Sequence, residues 1–284
     1  MKVLITGATG QLGHDIVKFA PDIHTLLTPT RNEMDLSDTT SVKKYLSKNN
    51  PEYIIHCAAW TKVDDAESNV ELCRKINVEG TRYLTDYCKI KDIPIIYIST
   101  DYVFNGKGIR PWTVNDSTDP INTYGLSKRD GENIVKTHSK HYIVRISWVF
   151  GPNGNNFVKT ILNKSKISDK ICVVDDQLGS PTYTTDIAPL IWEMVKYEKY
   201  GTYHAHNEGY CSWYEFAKKI IEAAKLNIDI IPICSDQYCT KAKRPRNGMM
   251  DTSSLINNGF KQLPEWGIAI DKFVTELNKY EGST

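Results

Sequence analysis

"KVLITGATGQLG" (residues 2–13) runs from a short apolar stretch into glycines at 7, 10 and 13. An apolar run bounded by such a turn predicts a strand, and the segment from Leu12 predicts a helix. Glycines at this junction permit a tight turn, let the backbone approach a pyrophosphate and allow the helix to pack close to the strand. The helix N-terminus favours the anion. Three spaced glycines alone are a weak signal, but their place between strand and helix is the context a dinucleotide fingerprint requires. Gly7, Gly10 and Gly13 are therefore the first cofactor-binding candidates.

Working outward, apolar runs alternate with amphipathic ones. "HTLL", "EYIIHCA", "IPIIYIST" and "HYIVRISWVF" predict strands; residues 42–48, a long stretch between 65 and 91, and a segment from Tyr124 predict helices. This alternation predicts an α/β fold, a doubly wound Rossmann-type parallel sheet over residues 1–150. After "FGPNGNN" the pattern is less regular: helices from Phe157, near 186–196, from Trp213 and from Trp266, with strands "KICVV" and "TYHAHN". Residues 151–284 are expected to form a smaller, mainly substrate-binding region, with later segments returning to the first. The tail "EGST" is expected to fray.

The formal net charge of +1 gives no general attraction to nucleic acid or to a membrane surface. No apolar run reaches the length of a signal peptide or membrane span, so a cytoplasmic location is expected. The seven cysteines include no CxxC pair. They read as reduced thiols, and no metal-ligating residue is assigned.

An NAD site ordinarily has an acid at the end of its second strand, to hold the ribose hydroxyls. "HTLLTPTRNEMD" offers Thr28, Thr30 and Arg31 instead. That favours NADPH, with Arg31 toward the 2′-phosphate, and leaves NADH open. Asp35 and Leu36, read as following a third strand, are expected at the adenine; Asp35 reads equally as a helix cap.

A tyrosine four residues before a lysine puts phenol and ammonium on one helix face, an arrangement suited to proton transfer. The spacing occurs at Tyr87–Lys91, Tyr124–Lys128 and Tyr214–Lys218. Ligands of a doubly wound sheet bind beyond the carboxyl ends of its strands. "IPIIYISTDY" reaches such an end at Thr100 and Asp101, just ahead of the Tyr124 helix, which selects Tyr124 and Lys128.

"TGATGQLG", "STDYVF", "YGLSK", "RISWVFGPNGNNFV" and "VDDQLGSPTYTTDIA" together resemble the extended short-chain dehydrogenase/reductases, and among them the dTDP-4-dehydrorhamnose reductases. The resemblance implies reduction of the 4-keto group of dTDP-4-dehydro-6-deoxy-L-mannose to dTDP-L-rhamnose. It implies that Tyr124 donates the proton, that Lys128 lowers the pKa of Tyr124 and binds the nicotinamide ribose, and that Thr100 hydrogen-bonds the ketone. Gly10, Gln11 and Leu12 would touch the pyrophosphate. Ala58, Ala59 and Thr61, after a fourth strand, would line the cofactor. Asp101 and Tyr102 would face the sugar, and Trp148 would contact the sugar or the nucleotide. Apart from the resemblance, "TKAKRPRNG" supplies Lys241, Lys243, Arg244 and Arg246, whose guanidinium groups suit a diphosphate, with Arg244 as the candidate.

Some members of that family dimerise around Mg²⁺ held by glutamates, one early in the first helix. This chain has the shorter Asp15 there, which leaves Mg²⁺ and a homodimer open. Two rivals stand beside the reductase: another nucleotide-sugar dehydratase or epimerase, and a non-catalytic NADP-binding regulatory subunit. Against the dehydratase, no glutamate follows Asp101 as a second acid–base group.

Overall fold

The computed structural model describes residues 1–281. Five strands, β1 (Lys2–Thr6), β2 (Thr25–Leu27), β3 (Tyr53–His56), β4 (Ile95–Thr100) and β5 (His141–Ile146), are joined by a sixth at Gly201–His204. All pair in parallel in the order β2-β1-β3-β4-β5, with the Gly201–His204 strand outside β5. After β2 the chain crosses back over β1 to reach β3, so the winding direction reverses between β1 and β3. A crevice opens beyond the carboxyl ends of the strands at such a switch point.

Both faces of the sheet are buried, as the uninterrupted apolar runs require. Val3, Ile5, Ile55, Ile96 and Val144 meet α1 (Gln11–Lys18) and the Thr184–Met194 helix on one side. Leu4, Ile54, Ile95 and Ile143 meet α2 (Thr39–Asn49) and the Gly80–Lys91 helix on the other. Consecutive strand residues thus serve opposite cores, as the pleat dictates, and each fully buried aliphatic side chain contributes about 1.5–3 kcal/mol. A third core, built on Phe150, Ile171, Phe216, Ile220 and Phe273, joins the Phe157–Ser165, Trp213–Ala223 and Trp266–Glu281 helices to a parallel strand pair, Lys170–Val174 with Asp229–Ile233.

The structure differs from the sequence expectations in four places. The long helix expected between 65 and 91 is broken at Asn69, whose ψ of 45° leaves the helical region, and passes through a π-helical turn, Lys75–Glu79. That turn places Asn77 inward, where it accepts from Trp60 N at 2.7 Å and donates to Ser127 Oγ at 2.9 Å. No third strand precedes Asp35: Glu33 accepts from Thr30 N and Oγ1, and Met34 N returns to Thr30 O, closing a turn instead. Ala58 and Ala59 therefore follow the third strand, not a fourth. Finally, "HYIVRISWVF" is two strands, because Trp148 takes a φ of +46° and turns Val149–Phe150 away to pair with Thr182–Tyr183. Of the tail expected to fray, Glu281 ends the last helix, and 282–284 lie outside the described residues.

Candidate active site

A cavity of about 750 Å³ lies over the carboxyl ends of β1, β3, β4 and β5. One end is made by the glycine turn. Gly7 has a φ of +69°, and a Cβ there would sit 2.8 Å from the Ala58 backbone; one on Gly13 would lie 2.1 Å from Gly7 O. Only glycine fits either position. Gly10, Gln11 and Leu12 line the same end, with Ala58, Ala59 and Thr61 opposite. Gly10 caps α1 with no side chain and no acid stands in its first turn, so the helix offers its free N–H groups to the cavity. A glycine cradle against an uncapped helix start fits a dinucleotide pyrophosphate. Asn153 braces the turn from outside, its Nδ2 donating to Thr9 O at 2.8 Å.

The other end is made by side chains. Asn122 caps the Thr123–Val135 helix, accepting from Gly125 N at 2.7 Å, and so delivers Tyr124 to the wall of the cavity at the end of β4. Thr100 Oγ1 donates to Asp101 Oδ1 at 3.0 Å and accepts from Tyr102 N at 3.2 Å. Tyr102 meets the Tyr124 ring edge-on at 5.8 Å. Lys128 Nζ donates to Ile98 O at 2.7 Å and lies 3.9 Å from the centre of the Tyr97 ring.

The charges here are set by burial. Burial pulls the Lys128 ammonium down to about 7, with Glu132 opposing it. Burial pushes the Asp101 carboxyl up to about 7 against the Thr100 hydroxyl and nearby backbone N–H groups. Burial also raises the Tyr124 phenol above its ordinary value; the pull downward comes from the hydrogen bond to Thr100, while Asp101 and Tyr102 add to the rise. The phenol thus lies above its usual range in the free chain, whereas the resemblance implies that Lys128 lowers it. Lys128 is anchored to the strand, at Ile98 O.

Trp148 forms a third wall. Its ring stacks on Trp213 at 3.6 Å, and the space it fills depends on Gly179, whose Cβ would meet that ring at 2.4 Å. Trp213 and Phe157 also line a second cavity of about 670 Å³ that holds Arg244, Lys243 and Lys164. The sequence reading missed this shared aromatic pair. The available signal was the capping box Ser212–Glu215, which starts a helix with Trp213 as its first residue.

Not every candidate lines the first cavity. Arg31 is exposed and pairs with Asp35 at 3.3 Å. Asp35 itself accepts from Ser37 N and Oγ in a local turn. Leu36 packs in the core beneath α2 and is 7% exposed. Arg244 lines the second cavity and pairs with Asp64 at 2.7 Å.

Asp15 does not fit a shared Mg²⁺ site. It is fully buried, accepting from Thr184 Oγ1 at 2.5 Å and from Thr185 Oγ1 at 3.3 Å, and so ties α1 to the Thr184–Met194 helix. Among the described residues no group of three or more His, Cys, Asp or Glu is placed to hold a metal ion. Nor is any described helix long and apolar enough to cross a membrane.

Residues 1–279 match the family described as RmlD substrate binding domain. The chain is 36% identical over 284 residues to a dTDP-4-dehydrorhamnose reductase of Aggregatibacter actinomycetemcomitans, with 95% of this chain and 97% of the relative covered. It is 32% identical to a dTDP-4-keto-6-deoxy-D-glucose reductase of Streptomyces niveus, with 98% of each covered. Its fold is similar to the crystal structure of dTDP-4-dehydrorhamnose reductase from Bacillus anthracis in complex with NADP: TM-score 0.94, 39% identity, 97% of this chain and 99% of that one. With the glycine cradle facing Thr100, Tyr124 and Lys128 across one crevice, and with likeness along nearly its whole length, the chain belongs to the RmlD family of dTDP-4-dehydrorhamnose reductases.

Proposed function

We propose that this chain reduces the 4-keto group of dTDP-4-dehydro-6-deoxy-L-mannose with NADPH, giving dTDP-L-rhamnose. The observation that carries the reading is the single cavity in which an uncapped helix start faces Thr100, Tyr124 and Lys128.

Bound along the glycine turn, NADPH supplies the hydride that adds to the sugar C4. Tyr124 gives its proton to the carbonyl oxygen as that oxygen becomes an alkoxide. A phenol held above its ordinary pKa keeps the proton until such a strong base forms. Thr100, whose single hydroxyl proton lies on Asp101 Oδ1 in the free chain, turns that proton to the carbonyl oxygen to orient the ketone. Lys128, held at Ile98 O, offers its remaining N–H groups to the nicotinamide ribose. In this reading the sugar lies against Tyr102 and Trp148, and the dTDP moiety passes Trp213 and Phe157 into the second cavity. There Arg244, Lys243 and Lys164 supply the positive charge a diphosphate needs. Residues 151–284 then serve mainly the substrate side, while the Thr184–Met194 helix and the Gly201–His204 strand build onto the first sheet. For the cofactor's 2′-phosphate, the lack of an acid at the end of β2 supports NADPH, with Arg31 on the same loop.

One relative is named for the epimeric keto sugar, so the deciding experiment offers both. With NADPH and each dTDP-4-keto-6-deoxy sugar in turn, the product is identified by chromatography against dTDP-L-rhamnose. Formation of dTDP-L-rhamnose supports the reading; turnover of the D-glucose-derived ketone alone transfers the chain to the other specificity.

A further inference from the structure

Tyr124, Lys128 and Glu132 stand at four-residue intervals and so share one face of the Thr123–Val135 helix. Glu132 is fully buried, and its carboxylate accepts from Ser99 Oγ at 2.6 Å and from Arg145 Nε and Nη2 at 2.8 and 2.7 Å. Arg145 is 1% exposed, its Nη1 lies 3.3 Å from His204 Nε2, and His204 Nδ1 faces Asp251 O at 3.1 Å. Ser99 immediately precedes Thr100. One carboxylate therefore joins the helix that carries Tyr124 and Lys128 to the strand end that carries Thr100.

A buried ion pair is a poor device for stability alone, since apolar residues of like volume often serve as well. This one lies one helical turn behind a buried lysine. The titratable groups facing Lys128 are His56 and Cys57 at the end of β3, Cys73 on the Val70–Arg74 helix, Tyr97 on β4, and Glu132 on its own helix. Burial leaves His56 neutral, its value lowered to about 3, and holds the Cys57 and Cys73 thiols and the Tyr97 phenol protonated. Facing Glu132 are Ser99 and Tyr97 from β4, Arg145 from β5, and Lys136 at 3.6 Å with Lys128 on the helix itself.

We propose that Glu132 is a positioning residue for the reduction: through Ser99 and Arg145 it locks the Lys128 helix to the Thr100 strand end. As the buried anion of this face it also favours the ammonium form of Lys128 against the burial that draws it down. This rests on the reductase reading. The test measures NADPH binding by fluorescence, and kcat/KM with the keto sugar, as functions of pH. Glu132→Gln alone strands the Arg145 charge, so the deciding variant is Glu132→Gln with Arg145→Met, which removes both charges together. Its high-pH limb, in NADPH affinity and in kcat/KM alike, is expected about one pH unit below that of wild type, about a tenfold loss at a fixed pH on the limb. Glu132→Asp keeps the charge on a shorter arm and should restore the wild-type limb while kcat stays reduced. A double variant that binds NADPH with its limb unmoved overturns the proposal, as does a Glu132→Asp limb displaced like that of the double variant. A wild type that binds NADPH yet reduces no keto sugar sinks the reductase reading instead, and the binding limb still tests Glu132.

Discussion

The two ends of the main cavity are built by opposite means. The glycine turn makes room by having no side chains: Gly7 and Gly13 admit the approach of Ala58 and of the first helix only because neither carries a Cβ. The Tyr124 end instead fills its space with ionisable side chains whose charge is set by burial: Lys128 drawn down to about 7, Asp101 pushed up to about 7, and the phenol raised. In the proposed reading the first end holds a ligand by backbone geometry, and the second moves a proton by tuned electrostatics. A substitution at the glycine end should therefore act on binding, and removal of the Tyr124 hydroxyl on rate.

The largest expected effect is at the proton donor. Tyr124→Phe keeps the ring against Tyr102 and removes only the hydroxyl, so kcat should fall about 10²–10⁴-fold with NADPH affinity unchanged. Stopped-flow rates beside a fluorescence titration check both halves. Loss of NADPH binding in this variant would erase the contrast between the two ends.

Gly13→Ala should do the reverse. With Gly7 O only 2.1 Å from the new Cβ, the first helix must shift, at a cost of about 1–3 kcal/mol, which corresponds to about 5- to 150-fold in NADPH affinity or to a matching loss in denaturant midpoint. Calorimetric titration and urea unfolding separate the two.

Gly179→Ala sharpens the comparison at the third wall. Its methyl would enter the space of the Trp148 ring and disturb the stack on Trp213, so KM for the nucleotide sugar should rise about tenfold while NADPH affinity holds. The pH dependence ranks next. The pKa of Lys128 is depressed to about 7 by burial, so its charged form is lost as pH rises through that value. NADPH affinity should then weaken about threefold or more between pH about 7 and about 8.5, because a charge-assisted hydrogen bond becomes a neutral one. The smallest effect is at Arg31. Exposed and paired with Asp35, Arg31→Ala should change the NADPH to NADH preference by about threefold or less.

The same contrast governs what could be read from the sequence. The glycine turn was legible because its three glycines are contiguous with the strand and helix they join. Thr100, Tyr124 and Lys128 were legible because a parallel sheet brings strand ends to one edge. Trp213 was not, because its stacking partner Trp148 stands far away in the chain and on a backbone turn with φ of +46° that no local pattern announces. The third strand expected before Asp35 is absent because Glu33 folds back on Thr30 and closes a turn, and Leu36 packs into the core beside it. No local pattern singles out Glu132. Only the approach of Arg145 from β5 shows it to be internal.

The most direct test follows NADPH absorbance on adding dTDP-4-dehydrorhamnose, generated in place by the preceding epimerase, to the wild-type protein and to Tyr124→Phe, with NADPH binding measured on both. The account requires rapid oxidation by wild type and its loss by about two orders of magnitude or more in the variant, with binding equal. Wild-type protein that binds NADPH and leaves it unoxidised would contradict the account and make the crevice that of a binding subunit.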